Sequence, residues 1–180
     1  MCMNIWTIFP RGNSGCDLPQ CGLRKWRCEG KKLRVSSGCQ NKLSMTGKDI
    51  ITKVKTLGLP EGSYIVFGAG PLAVAGIRET SDIDMYVKSE IIYRMKKLGW
   101  KKLDKGGRDT PIVYECFELH DNWNFGTSYD PPFTDLLATA DYYDGVPFVS
   151  LTEVRKWKLA SARPKDLVDI KLIDKYLQGY

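Results

Sequence analysis

Tyr64–Val87 reads YIVFGAGPLAVAGIRETSDIDMYV. Two apolar runs, YIVFGA and IDMYV, enclose a glycine-rich turn, and Asp82 and Asp84 open the second run two residues apart. On a strand, side chains at i and i+2 share a face and lie about 6.5–7 Å apart. The two carboxylates are therefore expected side by side, with Ile83 and Met85 pointing the other way. Like charges this close raise each other's pKa unless a cation intervenes. Hard oxygen ligands in such a pair suit Mg²⁺ (or Mn²⁺) shared with phosphate oxygens. The turn supplies the complement: Gly68 and Gly70 let the backbone approach a ligand, and a helix opening at Pro71 offers its first amides to an anion. A lone pair of this kind also arises by chance or as a turn. The weight rests on glycine turn and acidic pair falling together on consecutive strands.

Outward from this stretch, the pattern predicts a small mixed sheet flanked by helices, an α/β (α+β) domain in the order αβαβαβββαβαα. Upstream, Thr46 caps a helix with Ile50, Ile51, Val54 and Leu57 at helical spacing. Downstream, SEIIYRMKKLGW is a helix capped by Ser89, with Ile91, Ile92, Met95 and Leu98 inward. WKKLD, IVYECFELH and WNFGTSY read as successive strands. DPPFTDLLATADYYDG reads as a loop with a short helix, and VPFV as the last strand. Ser150 and Glu153 form a capping box for LTEVRKWKLASA, and Pro164 starts the final helix.

The segment GAGPLAVAGIRETSDIDMYV resembles the signature of the nucleotidyltransferase fold, the DNA polymerase beta-like superfamily. VPFVSLTEVRKWKLASARPKDLVDIKLI is similar to the tail of small bacterial nucleotidyltransferase-like proteins, including relatives of the AbiEii-type toxins. The resemblance covers residues 46–178, with the two motifs in the right order. The resemblance implies that Asp82 and Asp84 bind metal. It also implies that the Gly68-Ala69-Gly70 turn holds a nucleoside triphosphate, with Arg78 and Ser81 nearby. The sequence departs from the family at Gly70, where a Ser or Thr hydroxyl usually touches phosphate.

Catalytic members add a third acid from a later strand, because a hydroxyl is a poor nucleophile until a base or metal lowers its proton affinity. FEL makes Glu118 the candidate. WNF is the competing register and would put the amide Asn124 there, implying a weak or inactive protein. Glu115, three residues before Glu118, is expected on the opposite face. His120 can serve as a base, although a histidine at a strand end is commonly ordinary surface. Lys158 lies on or beside the apolar stripe of its helix, at i+7 from Leu151 and i+4 from Val154. It reads either as a core-edge lysine or, as the resemblance implies, as a contact to phosphate. Lys158 and Asp166 are both placed near the site, although Asp166 also suits a first helical turn and Lys165 pairs with Asp169 at i,i+4. The SYDPPF loop can stack on a base or simply pack.

At 180 residues and 43% hydrophobic, the chain is long enough for one domain with a core. Its net charge of +6 is uneven. Residues 1–44 hold 8 Lys/Arg and 2 Asp/Glu, while residues 45–180 hold 19 of each. The charge thus reports a basic extension over 1–44 and a neutral domain over 45–180. Cys2, Cys16, Cys21, Cys28 and Cys39 lie in the extension with no zinc-type spacing. The extension is expected to be a poorly ordered leader, one version of which makes Met45 the true start; a metal-binding or RNA-touching tail is the alternative. MCMNIWTIFPRG lacks the apolar region of a signal peptide and no run approaches a membrane span, so a cytoplasmic protein is expected.

The expected function is Mg²⁺-dependent transfer of a nucleoside monophosphate from an NTP to a hydroxyl on RNA, protein or a small molecule. The alternative is an inactive nucleotide-binding or regulatory module, such as a toxin–antitoxin component with an operon partner.

Overall fold

A computed structural model describes residues 43–106 and 109–179. Apart from Leu43 and Ser44, the expectations for the basic extension lie outside the described residues. Thr46 opens α1 (Gly47–Thr56) with a reciprocal cap, its hydroxyl accepting from the Asp49 amide while the Asp49 carboxylate accepts from the Thr46 amide. The chain continues through β1 (Tyr64–Val66), α2 (Gly70–Val74), β2 (Ile83–Val87) and α3 (Ser89–Lys97). Then come β3 (Lys101–Lys102), β4 (Ile112–Tyr114), β5 (Phe117–His120) and α4 (Phe133–Ala138). The hairpin β6 (Asp141–Tyr143) and β7 (Val146–Phe148) precedes α5 (Leu151–Ser161) and α6 (Pro164–Leu177).

The strands form one mixed sheet in the order β3-β4-β5-β2-β1-β7-β6. The central pairs are β1 antiparallel to β2, β2 parallel to β5 and β1 parallel to β7. This is the expected mixed α/β architecture. The alternation of β2 sorts its side chains between two cores. Ile83, Met85 and Val87 are fully buried with Ile50 and Val54 of α1 and with Ile91 and Met95 of α3. On the other side Leu72, Trp123, Val154, Trp157 and Ile173 pack around Ile65 and Phe67. Asp84 and Tyr86 take the positions of β2 opposite Ile83 and Met85, so the acid arrives beneath α5 and α6. Met45 is also core, 5% exposed and bridged to Thr80. Among the described residues no helix is long and apolar enough to cross a membrane.

Several local expectations are corrected. IVYECFELH is a hairpin rather than one strand: Tyr114 pairs with Phe117, and Glu115 sits in the connecting turn at φ 52° instead of on a strand face. WNFGTSY is a pair of side-chain-capped turns. Asn122 Oδ1 accepts from the Asn124 amide at 2.7 Å and Asn124 Oδ1 from the Gly126 amide at 2.6 Å. DYY, read as loop, is β6, joined to β7 through Asp144-Gly145, both at positive φ. That Asp-Gly pair is the turn chemistry a two-residue hairpin requires. Ser89 is the first helical residue of α3, and the cap position belongs to Lys88. Ser150 does accept from the Glu153 amide, but the Glu153 carboxylate serves Tyr129 and Lys156, so only half of that box forms.

Candidate functional site

The parallel pairing of β2 and β5 sets Asp84 opposite Glu118 and Tyr86 opposite His120. Residues in register share a face, and the two-residue period puts His120 on the same side of β5 as Glu118. One carboxylate oxygen each of Asp84 and Glu118 and one ring nitrogen of His120 all lie within 4.8 Å of one another. Asp82, the last residue before β2, is not in that group but lines the same cleft, with Oδ1 accepting from Thr80 Oγ1 at 3.1 Å. Burial, then the charges of Asp82 and Glu118, push the Asp84 carboxyl up to about 7, against the pull of Lys105 and Lys165. An acid held among acids in this way favours a cation beside it.

Gly68 makes this approach possible. At φ 63° it adopts a left-handed conformation, and a Cβ there would meet Asp84 Oδ2 at 2.1 Å. Gly68 and Ala69 line the cleft, which has a volume of about 360 Å³. Gly70 faces away from it: a Cβ there would meet Val66 Cγ1 at 2.5 Å, and its amide donates to Phe67 O at 3.1 Å. A hydroxyl side chain at position 70 would therefore enter the core, so the glycine is required by packing.

Glu118 stands beside Asp84 and is ion-paired with Lys105. Burial works against the Lys105 ammonium, but Glu118 and Asp84 outweigh it and hold its pKa above the ordinary lysine value. Asn124, the competing candidate, lines a different cavity of about 420 Å³ and spends its side chain on the Gly126 amide. His120 is 7% exposed, so the expectation of ordinary surface is overturned. Its ring packs edge-on to Trp123 and Phe125, and burial, then the charge of Lys105, drives its pKa down to about 3. His120 is thus a neutral imidazole across the ordinary pH range.

The basic residues divide into two sets. Arg78 makes a two-pronged contact with Asp169 (Nε–Oδ1 2.7 Å, Nη2–Oδ2 2.8 Å) and donates to Glu79 O. Lys158, 3% exposed, lies 2.8 Å from Asp169 and 3.2 Å from Asp166. Arg163 completes the network on Asp166 at 2.6 Å. Arg78 and Lys158 do line the cleft, but as members of one ion network in which Lys158, Asp166 and Asp169 are buried and Arg78 is about a third exposed. The expected Lys165–Asp169 pair is replaced by the bonds of Asp169 to Arg78 and Lys158. Lys165 instead lines the cleft exposed, and its charge reaches Asp84 and Asp109. Ser81 lines the cleft. The SYDPPF loop packs: the Tyr129 hydroxyl donates to Glu153, and Phe133 meets Tyr86 edge-on.

Sequence reasoning did not anticipate Lys105, Trp123 or Trp157 in the cleft wall. The indole N–H groups of both tryptophans are buried without a hydrogen-bond partner among the described residues. The h-E-h-H period of FELH carried the signal for His120; nothing local points to Lys105, which arrives on the β3–β4 connection. Two carboxylates and a neutral imidazole form a donor set that fits a divalent cation, with Asp82, Lys165 and the Gly68-Ala69 backbone around it. Compared with known protein families, curated proteins and solved structures, the chain matches none.

Proposed function

We propose that the protein is a divalent-cation-dependent, nucleotidyltransferase-like protein that moves a nucleoside monophosphate from an NTP to a hydroxyl acceptor. The observation that carries this reading is the register of Asp84 against Glu118 beside the Gly68 turn, with Asp82 lining the same cleft. Asp84 and Glu118, with Asp82, would hold Mg²⁺ or Mn²⁺; the ion, when bound, would neutralise phosphate oxygens and fix their orientation. The Gly68-Ala69 turn leaves room for the triphosphate to approach the main chain. Lys165, and Arg163 from its partly exposed edge, face charge that develops on the phosphates. The acceptor oxygen forms a bond to the α-phosphorus while the bond to the β-phosphate oxygen breaks. Pyrophosphate leaves, and the hydroxyl proton passes to a cleft carboxylate. Acceptor classes consistent with this chemistry are an RNA end, a protein hydroxyl or a small molecule, in a cytoplasmic setting where NTPs are available.

A second reading is favoured by a specific observation: Arg78, Lys158 and Glu118 are all committed to internal ion pairs. A cleft so engaged suits a nucleotide-binding or regulatory module, such as a toxin–antitoxin component acting with a partner protein. Incubation with α-labelled ATP, CTP, GTP and UTP plus Mg²⁺ or Mn²⁺, against candidate acceptors, separates the two. Label transfer that disappears in Asp84→Asn supports the enzyme. Saturable nucleotide binding without transfer supports the module, and transfer that survives Asp84→Asn overturns the site.

A further inference from the structure

We infer that Asp84, Glu118 and His120 form a mixed oxygen–nitrogen site that takes a first-row transition-metal ion in preference to Mg²⁺. This rests on reading the cleft as a cation site and adds a nitrogen donor to it. The three donor atoms lie within 4.8 Å of one another. Bonds of about 2.0–2.2 Å place two donors of one ion at most about 4.4 Å apart, so small side-chain rotations close the set.

The imidazole is the independent observation. Its side chain is 6% exposed, yet neither ring nitrogen makes a hydrogen bond among the described residues. The Asp109 Oδ1 atom stands 3.9 Å from Nδ1, beyond hydrogen-bond reach, and is itself buried without a partner among the described residues. Buried polar groups are nearly always paired, and here the Asp109 carboxylate oxygen is left open at the cleft that the imidazole also lines. Metal-bound histidines commonly give their second N–H to a carboxylate that orients the ring, and Asp109, 3.9 Å from Nδ1, is the carboxylate nearest to that role if Nε2 takes the ion. Lys105, paired with Glu118, supplies the positive charge that a bound ion would displace. Carboxylates alone suit Mg²⁺, which sheds water reluctantly and prefers oxygen, whereas an imidazole nitrogen suits transition ions.

The chain contains one histidine, so a histidine isotope label reports His120 alone. Untagged full-length protein is loaded with Mn²⁺, and nitrogen modulation is recorded by pulsed electron paramagnetic resonance, with histidine at natural abundance and then as ¹⁵N. The expected result is a ¹⁴N modulation that changes to the ¹⁵N pattern. In competition titrations of Co²⁺ against Mg²⁺, His120→Asn should weaken Co²⁺ on the order of tenfold more than it weakens Mg²⁺. Lys105→Met should tighten both ions, and circular dichroism checks that each variant is folded. Bound Mn²⁺ without histidine modulation, with an unaltered Co²⁺/Mg²⁺ ratio in His120→Asn, overturns this inference and leaves the transferase reading standing. Absence of any cation binding sensitive to Asp84→Asn overturns both.

Discussion

Gly68 and Asp84 are coupled by contact: the glycine has no side chain because the carboxylate occupies the space. Gly76 provides a control, since it shares a positive φ of 72° but has nothing within 4 Å of the point a Cβ would take. Gly76→Ala meets only backbone strain and should cost about 1 kcal/mol. Gly68→Ala must also displace Asp84 and should cost about 1–3 kcal/mol more, with loss of cation binding. Urea denaturation and a metal titration on the two variants check this; equal costs at both positions would show that Asp84 yields freely. Asp84 itself should be a case of function opposing stability. Without divalent cation, Asp84→Asn removes a half-buried charge beside Asp82 and Glu118. It should raise stability at pH 8 by about 1–3 kcal/mol while abolishing cation binding. A thermal melt in chelator that shows no gain would mean that Lys105 already compensates the acid fully.

At the scale of elements, the C-terminal pair α5–α6 is joined through charge as well as apolar packing. Lys158 of α5 sits between Asp166 and Asp169 of α6. Lys158→Met should therefore destabilise the protein by about 3 kcal/mol, because two buried carboxylates lose a shared partner. Faster amide exchange should be confined first to α6. Lys165→Met, on the exposed cleft rim, should leave stability within about 0.5 kcal/mol and weaken nucleotide binding instead. The reverse pattern would return Lys158 to a phosphate-binding role. This division could not be read from the chain, since both lysines sit in one basic, helix-forming tail and only the position of Asp169 tells them apart. The legible parts were those governed by local period and turn chemistry. These include the IDMYV strand, the Thr46 cap and the placing of Glu118 by its apolar flanks. The hairpin at Glu115 was hidden because a non-glycine residue takes the positive φ. The parallel pairing of β5 with β2, which selects Glu118 over Asn124 and brings in His120, is a long-range choice that no local window contains.

For the molecule as a whole, the cleft lies where the centre of the sheet meets α5 and α6, and one ion network spans that junction. Arg78 follows α2, Lys158 belongs to α5, and Asp166 and Asp169 belong to α6. Burial alone would raise the Asp169 carboxyl, but hydrogen bonds from Arg78 and Lys158 and their charges outweigh it and hold the pKa below the ordinary value. The same balance, with Arg163 first among the partners, lowers Asp166. A carboxylate depressed in the folded state binds fewer protons there than in the unfolded chain. Its contribution is therefore complete above the unfolded value near pH 4 and is lost as pH falls through the folded value. Wild type should lose stability as the pH falls below the ordinary aspartate range, in part through these two groups. Asp169→Asn should be less stable than wild type at pH 7, and the gap should narrow steadily on acidification, because protonation imposes on wild type what the substitution has already done. Denaturant midpoints of the pair at matched ionic strength give the difference directly, cancelling the other acids. A gap that stays constant down to pH 2 would mean that Asp169 contributes through shape and hydrogen bonding alone, and that the junction between sheet and C-terminal helices does not depend on its charge.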